Sequence, residues 1–361
     1  MDREERTRVE KGRGAVSNPA GRFQATRAVA ADDGWGSLDV PPRRAETVLV
    51  PDRPRHAITH NDSPDVPFDQ SVNPYQGCEH GCIYCFARPS HAYWNLGAGL
   101  DFETRIFHKP GLARLLEREL SAPGYVCKPI NLGANTDPYQ PAEREFRTTR
   151  EVLEVLLAHR HPVTIVTKGA LILRDLDLLS ELARQRLVSV HVSVTTLDDD
   201  LKRVLEPRAA SPAARLRVIR ELADADVPVG MLLAPMIPAL NDHELERLLE
   251  AGRDAGASRA GFILLRLPRE LATLFEEWLR EHFAARADRV LNLLRDLRGG
   301  RLNDPRFGHR MRGEGPYADL LSARFDVACR RLGLVTGRRH DLDTAAFRSD
   351  PGAPQQGVLF G

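Results

Sequence analysis

The sequence predicts an α/β fold: a partial (β/α)6 TIM-like barrel with a disordered N-terminal arm and a helical C-terminal extension. Three observations carry this expectation. Between residues 63 and 268, short apolar runs alternate with amphipathic helical stretches, the pattern of right-handed βαβ units on a parallel sheet. About six such units can be counted, short of the eight that close a barrel. The flanks are different in kind, the first poor in periodicity and the last rich in arginine on a helical pattern.

Residues 1–62 alternate charges with Gly, Ala and Pro and read as an arm with one short strand at Thr47–Val50. Barrel strands are expected near Asp69–Pro74 and at Ile130–Ala134, Val163–Thr167, Val188–Val194, Val229–Ala234 and Gly261–Leu265. Helices between them include Thr148–His159, Asp175–Arg184, Ala213–Ala225 and Asp242–Ala255, with apolar residues at three- and four-residue spacing. In region 269–348, Phe275, Trp278, Leu279, Phe283, Val290, Leu293, Leu294 and Leu297 form one stripe, expected to pack across the open side of the barrel. Residues 349–361 are expected to be a flexible tail.

The net charge of +1 predicts neither strong attraction to nucleic acid nor repulsion from it for the molecule as a whole. No apolar run reaches membrane-spanning length and no hydrophobic signal core opens the chain, so a soluble cytoplasmic protein away from membranes is expected.

The densest chemical signal is Asn73-Pro-Tyr-Gln-Gly-Cys-Glu-His-Gly-Cys-Ile-Tyr-Cys-Phe-Ala-Arg88. It sets Cys78, Cys82 and Cys85 in a C-x3-C-x2-C array with an aromatic before the last cysteine. Three thiolates on one loop suit a [4Fe-4S] cluster with one iron left open to a ligand. Structural zinc usually takes four ligands, and His80, His91 and Cys127 stand at no recognised spacing for the fourth. A non-catalytic zinc protein is the distant alternative. Cys127 and Cys329 sit in apolar contexts and read as small core residues.

Barrel chemistry collects at the carboxyl ends of the strands. The expected ends carry the cysteine loop, Asn135-Thr-Asp-Pro-Tyr-Gln-Pro141, Thr167-Lys168, Ser193 to Thr196 and Pro235-Met-Ile-Pro238. Each offers polar groups or a tight turn where a substrate would lie.

The cysteine array resembles the signature of radical S-adenosylmethionine (SAM) enzymes. The stretches Ser63-Pro-Asp-Val-Pro-Phe-Asp-Gln-Ser-Val-Asn73 and Ala87-Arg-Pro-Ser-His91 resemble an uncharacterised bacterial subfamily in the spore photoproduct lyase branch. The resemblance runs from about Pro64 to Pro268 and implies a radical SAM partial barrel over residues 63–268. It implies SAM as cofactor, its reductive cleavage to a 5′-deoxyadenosyl radical, and a one-electron donor of flavodoxin or ferredoxin type.

Residue by residue, the resemblance makes Cys78, Cys82 and Cys85 the cluster ligands. The backbone at Tyr84 would meet the adenine. Asn135, Thr136 and Asp137 occupy the place that holds the methionine amino group, although a strand-end Asp also caps helices. Lys168 would meet the SAM carboxylate and Ser193 the ribose. Arg215 matches an arginine that can bind a carboxylate in two-pronged fashion, or is a solvated helix residue. Gly230 heads a strand that would lie beside the adenine.

In the spore photoproduct lyase pattern a hydrogen-donating cysteine precedes a Ser-Asp pair; here Ala134 takes its place before Thr136-Asp137. Literal spore-photoproduct repair is therefore not expected, and Tyr139 and Lys168 are the catalytic candidates. Two features favour a damaged or modified nucleic acid as substrate. Between Arg298 and Arg348 eleven arginines face six acids, with Phe307, His309 and Tyr317 interleaved. Gln356, Leu359 and Phe360 resemble the peptide by which bacterial repair proteins dock on the DNA sliding clamp. A peptide, protein or small metabolite is the alternative substrate class.

Overall fold

The computed structural model describes residues 10–24, 46–337 and 341–352. Its eleven strands, in chain order, are β1 (Val48–Pro51), β2 (Ile58–His60), β3 (Gln70–Val72), β4 (Tyr75–Gln76), β5 (Arg105–His108), β6 (Ile130–Leu132), β7 (Val163–Thr167), β8 (Val188–Ser193), β9 (Val229–Met236), β10 (Arg259–Leu264) and β11 (Val335–Thr336).

Six of them, β3, β6, β7, β8, β9 and β10, lie side by side in sequence order and all parallel. Each new strand is added at the same edge, as repeated right-handed crossovers require. The sheet is continued by β2, antiparallel to β3, and by β11, parallel to β10. Among the described residues these two ends do not pair, so the barrel is partial, as the count of units predicted.

Alternation decides which face is which. Val163 and Ile165, Val188, Val190 and Val192, and Val229, Met231 and Leu233 enter one core with Leu153, Leu179, Val218, Ile219 and Leu248 from the helices. The opposite face carries Ser71, Asn131, Thr164, Ser189 and Ser193, and Asn131 donates to the Thr164 hydroxyl at 3.0 Å. The concave interior is therefore polar, unlike the packed centre of most closed barrels.

Two expectations need correction. The arm is not all disordered, because residues 10–24 pack on the body: Ala15 is 1% and Val16 3% exposed. Residues 46–62 contribute β1, paired with β5, and β2, which joins the main sheet. Residues 1–9 and 25–45 lie outside the described residues. The arm is held by buried Ala15 and Val16, by its Gly14 and Ala15 amides and by the side chains of Arg13 and Arg22, scattered contacts that composition does not register.

The predicted C-terminal stripe is also not single. The helix Leu271–Asp296 leaves helical geometry at Phe283, and its buried residues fall into two groups, Leu271 to Leu279 and Ala287 to Leu294. Both pack with Ala15, Val16, Ile83, Tyr84, Ile237, Leu265 and Leu267, so this helix spans from the end of β10 to the cysteine loop. A second helix, Pro316–Leu332, packs Phe325 against Phe262 with the rings tilted by 43°. The segment 341–352 then runs beneath the barrel: Asp343 N–H donates to the Arg186 carbonyl, and Arg348 N–H to that of His159.

Candidate active site

The cysteine loop leaves the carboxyl end of β3. Cys78 and Cys82 are buried, Cys85 is half-buried, and all three thiols are free. Arg88, with no exposed surface, organises the loop from behind. It donates to the carbonyls of Cys82 (2.9 Å), Gly81 (3.1 Å) and Gly99 (2.9 Å) and pairs with the buried Glu103 at 2.5 Å. Glu103 also accepts the Gly14 and Ala15 amides of the arm, at 2.9 and 2.8 Å. The approach is so close that a Cβ on Gly14 would sit 1.8 Å from the Gly81 carbonyl oxygen. Sequence reasoning missed this brace. Its only visible trace was the Ala87-Arg-Pro-Ser-His91 stretch, to which no role was attached.

The thiols fit the cluster that the spacing predicts. Burial pushes the Cys82 thiol up to about 12, with Glu206 adding to it, and raises Cys78 as well, with Asp137 adding there. Buried thiols held neutral this way become ligands when a cationic centre displaces their protons. No three His, Cys, Asp or Glu side chains among the described residues converge on a single ion. A cuboidal cluster spreads its thiolates over separate irons and does not require that.

A second buried network fastens Tyr84. Glu206 accepts the Tyr84 hydroxyl, the Thr195 hydroxyl at 2.7 Å and the Arg215 guanidinium. Burial alone would raise the Glu206 carboxyl, but Arg215, Lys168 and these hydrogen bonds outweigh it and hold it at about 2. Arg215 is 2% exposed and also donates to the Ser193 carbonyl (3.0 Å) and the Ala210 carbonyl (2.9 Å). It is thus neither solvated nor free to grip a ligand carboxylate, because its donors are engaged inside the protein.

Asp137 is engaged in the same way. Its oxygens accept the Thr167 hydroxyl (2.7 Å), the Tyr139 amide (2.9 Å) and the Lys168 amide (2.6 Å), and face His80 Nδ1 at 3.3 Å. Against burial, His80 and these bonds hold its carboxyl at about 2. It laces the ends of β6 and β7 to the cysteine loop, a role different from meeting an ammonium or capping a helix. Thr136 donates to the Tyr75 carbonyl at 3.2 Å. Asn135 stays half-buried, its amide N–H on Asn73 at 2.7 Å.

Lys168 acts on Glu206 through space but pairs directly with no described group. Its ammonium lies 5.7 Å from the centre of the Tyr84 ring, with no hydrogen bond or ion pair among the described residues. Ser193 closes β8 on the polar face.

Two predicted residues are not brought to this site. Gly230 opens β9 at its amino end, opposite His191 and Arg259 in register. A Cβ there would meet the His191 ring at 2.9 Å, so the glycine makes room for a side chain of this protein and not for an adenine. Tyr139 is buried in the helix-side core, and its hydroxyl faces Asp175, Glu143 and Arg174. Gln356, Leu359 and Phe360 lie outside the described residues.

This fold and this thiol loop define a class. Residues 72–252 match the Radical SAM superfamily, and the chain belongs to it. Membership implies SAM and an iron–sulfur cluster. The chain is 38% identical over 216 residues to an uncharacterised protein of Mycobacterium tuberculosis, covering 59% of this chain and 64% of that one. It is 27% identical over 173 residues to an uncharacterised protein of Methanocaldococcus jannaschii, covering 48% of this chain and 62% of that one. Among solved structures, spore photoproduct lyase complexed with dinucleoside spore photoproduct shares the fold, with a TM-score of 0.60 at 15% identity over 80% of this chain and 81% of that one. No described helix is long and apolar enough to cross a membrane.

Proposed function

We propose that this protein is a radical SAM enzyme that cleaves SAM reductively and acts on a damaged or modified base in nucleic acid. The observation that carries the reading is the loop of three free thiols, braced at the carboxyl end of β3 beside a lysine with no direct hydrogen bond or ion pair among the described residues. Cys78, Cys82 and Cys85 hold a [4Fe-4S] cluster, which when bound supplies one electron and an open coordination position. Lys168 takes the SAM carboxylate, Asn135 the methionine amino group, and Ser193 the ribose. Tyr84, fixed by Glu206, lines the adenine side. Asp137 and Arg215 act through the residues they position.

The substrate class is supported by the fold shared with a lyase whose structure holds a dinucleoside photoproduct, and by the arginine-rich region past residue 298. With alanine at 134 and the Tyr139 hydroxyl facing another cluster, no residue of the chain is assigned the return of hydrogen. Residues 356–360 are proposed to dock on a sliding clamp.

The test is anaerobic reconstitution with iron and sulfide, then reduction with dithionite in the presence of SAM. Wild type is expected to form 5′-deoxyadenosine and Cys82→Ala none. Product recovered with irradiated DNA but not with peptides supports the nucleic-acid assignment. One zinc per chain and no cluster overturns the whole reading.

A further inference from the structure

Arg266 stands two residues beyond the carboxyl end of β10, half-buried. Its guanidinium lies 4.6 Å from the centre of the Phe86 ring, and Phe86 directly follows Cys85. The pair joins the two lips of the partial barrel, the loop after the first parallel strand and the turn after the last.

Neighbouring buried arginines all have oxygen partners. Arg88 pairs with Glu103 and Arg215 with Glu206, while Arg298 donates to the carbonyls of Leu265 (2.6 Å) and Arg310 (2.8 Å). Arg266 has neither hydrogen bond nor ion pair among the described residues. Burial, then Arg310 and Arg298, draw it down to about 10, and Cys85 and Asp65 offset them only in part. A desolvated cation facing other cations is the environment that an incoming anion relieves.

A second observation lies on the same lip. A cleft of about 620 Å³ is lined by Pro64, Asp65, Phe307, Gly308, Arg312 and Gly337. Arg310 covers the Phe307 ring at 4.6 Å and is paired with Asp65. Arg312 is exposed. Phe86 and Phe307 are 48% and 54% exposed, each beneath an arginine. Two open rings with cations beside them suit stacked bases joined by phosphates, and no step of the chemistry above uses them.

We propose that Arg266 binds a phosphodiester of a single-stranded or locally opened polynucleotide, with Phe86 and Phe307 as stacking platforms for its bases. This rests on the nucleic-acid reading above and deepens it, since it says where the strand enters. An acidic peptide would use the cation but not the rings.

The test is fluorescence anisotropy of labelled single-stranded DNA and RNA 12-mers with the full reconstituted chain, over a range of salt. Arg266→Met is expected to weaken binding roughly tenfold and to reduce the salt slope by about one, as loss of one phosphate contact does. Phe86→Ala is expected to weaken binding severalfold with the slope unchanged. Arg266→Lys keeps the slope, which separates lost charge from lost fold, and Arg217→Met on the exposed helix face behaves as wild type. If wild type binds and Arg266→Met binds equally, this inference falls while the nucleic-acid reading stands. If wild type binds no oligonucleotide even at low salt, both fall. Binding of an acidic peptide that Arg266→Met abolishes and Phe86→Ala leaves intact replaces the polynucleotide with a peptide.

Discussion

Glu103→Ala tests the brace behind the cysteine loop. Glu103 and Arg88 have no exposed side-chain surface, so the substitution leaves a guanidinium buried without its counter-ion. Removing one partner of a buried pair costs about 3–5 kcal/mol. The Gly14 and Ala15 amides lose their acceptor as well, at about 1 kcal/mol or more each. Arg88 keeps its carbonyl partners and the arm can lift to admit water, so the expected loss is about 3–5 kcal/mol, not the larger sum. Glu103→Gln loses the charge but keeps one of the two acceptor oxygens, so only one of the two amides loses its partner and the variant should fall between. Urea unfolding of the apo protein, followed by fluorescence of Trp278 in the core that the arm joins, gives the stability. Alkylation of Cys82 in the same apo protein reports how firmly the loop is held. An alanine variant within about 1 kcal/mol of wild type, with Cys82 alkylated at the wild-type rate, would refute the brace.

Lys168→Met should weaken SAM binding to the reconstituted protein about ten- to a hundredfold by calorimetry, the value of one charged hydrogen bond, and leave apo stability nearly unchanged. Gly230→Ala should do the reverse: a Cβ 2.9 Å from the His191 ring destabilises the fold by about 1–3 kcal/mol in urea while the Kd for SAM holds. Burial lowers His161 from 6.5 to about 4, with Tyr125 on its Nε2 at 2.8 Å. The unfolded chain therefore takes up the proton first, and stability that is complete above pH 6.5 declines toward pH 4 by about 3 kcal/mol. His161→Gln should flatten that slope in urea titrations at successive pH values. Loading with iron and sulfide should raise the melting temperature and protect Cys78, Cys82 and Cys85 from alkylation, since a ligand of the native state alone stabilises it.

The barrel was legible where the chain repeats one local device. Val163–Thr167 is the strand that its β-branched run predicts, and Val188–Ser193 ends one residue early. β5 was missed because Arg105–His108 has only two apolar residues, and its pairing with β1 joins segments with more than fifty residues between them. The thiols, Lys168 and Ser193 could be singled out in the sequence because the chemistry proposed for them is written in their type and position. Arg88 and Glu103, or Glu206 and Arg215, become a pair only once the chain is folded. A lone arginine on a helix reads the same whether it faces water or a buried carboxylate, which is why Arg215 was misjudged. Asp137 shows the same limit: beside the Tyr139 amide two residues on, it gathers His80, Thr167 and Lys168 from distant segments, and those cannot be read from the chain.

Charge balance connects these corrections to function. The chain carries 51 Lys and Arg against 50 Asp and Glu, and the buried cations Arg88 and Arg215 are matched to carboxylates within the fold. Lys168 and Arg266 are the exceptions at the strand ends, and both lie over rings of one three-residue segment: Lys168 over Tyr84, Arg266 over Phe86, with Cys85 between. An aromatic ring stabilises a cation weakly, by about 0.5–2 kcal/mol. The carboxylates that act on them, Glu206 and Asp65, are already paired with Arg215 and Arg310, so both cations can still take an anion from outside. Two half-buried cations flanking Cys85 fit the function proposed above, in which two anionic groups meet there, the carboxylate of SAM on one side and a substrate phosphate on the other. The Lys168 and Arg266 substitutions are then expected to act on separate ligands, so that their effects add in the double variant. Strong coupling between them would mean that one ligand spans both.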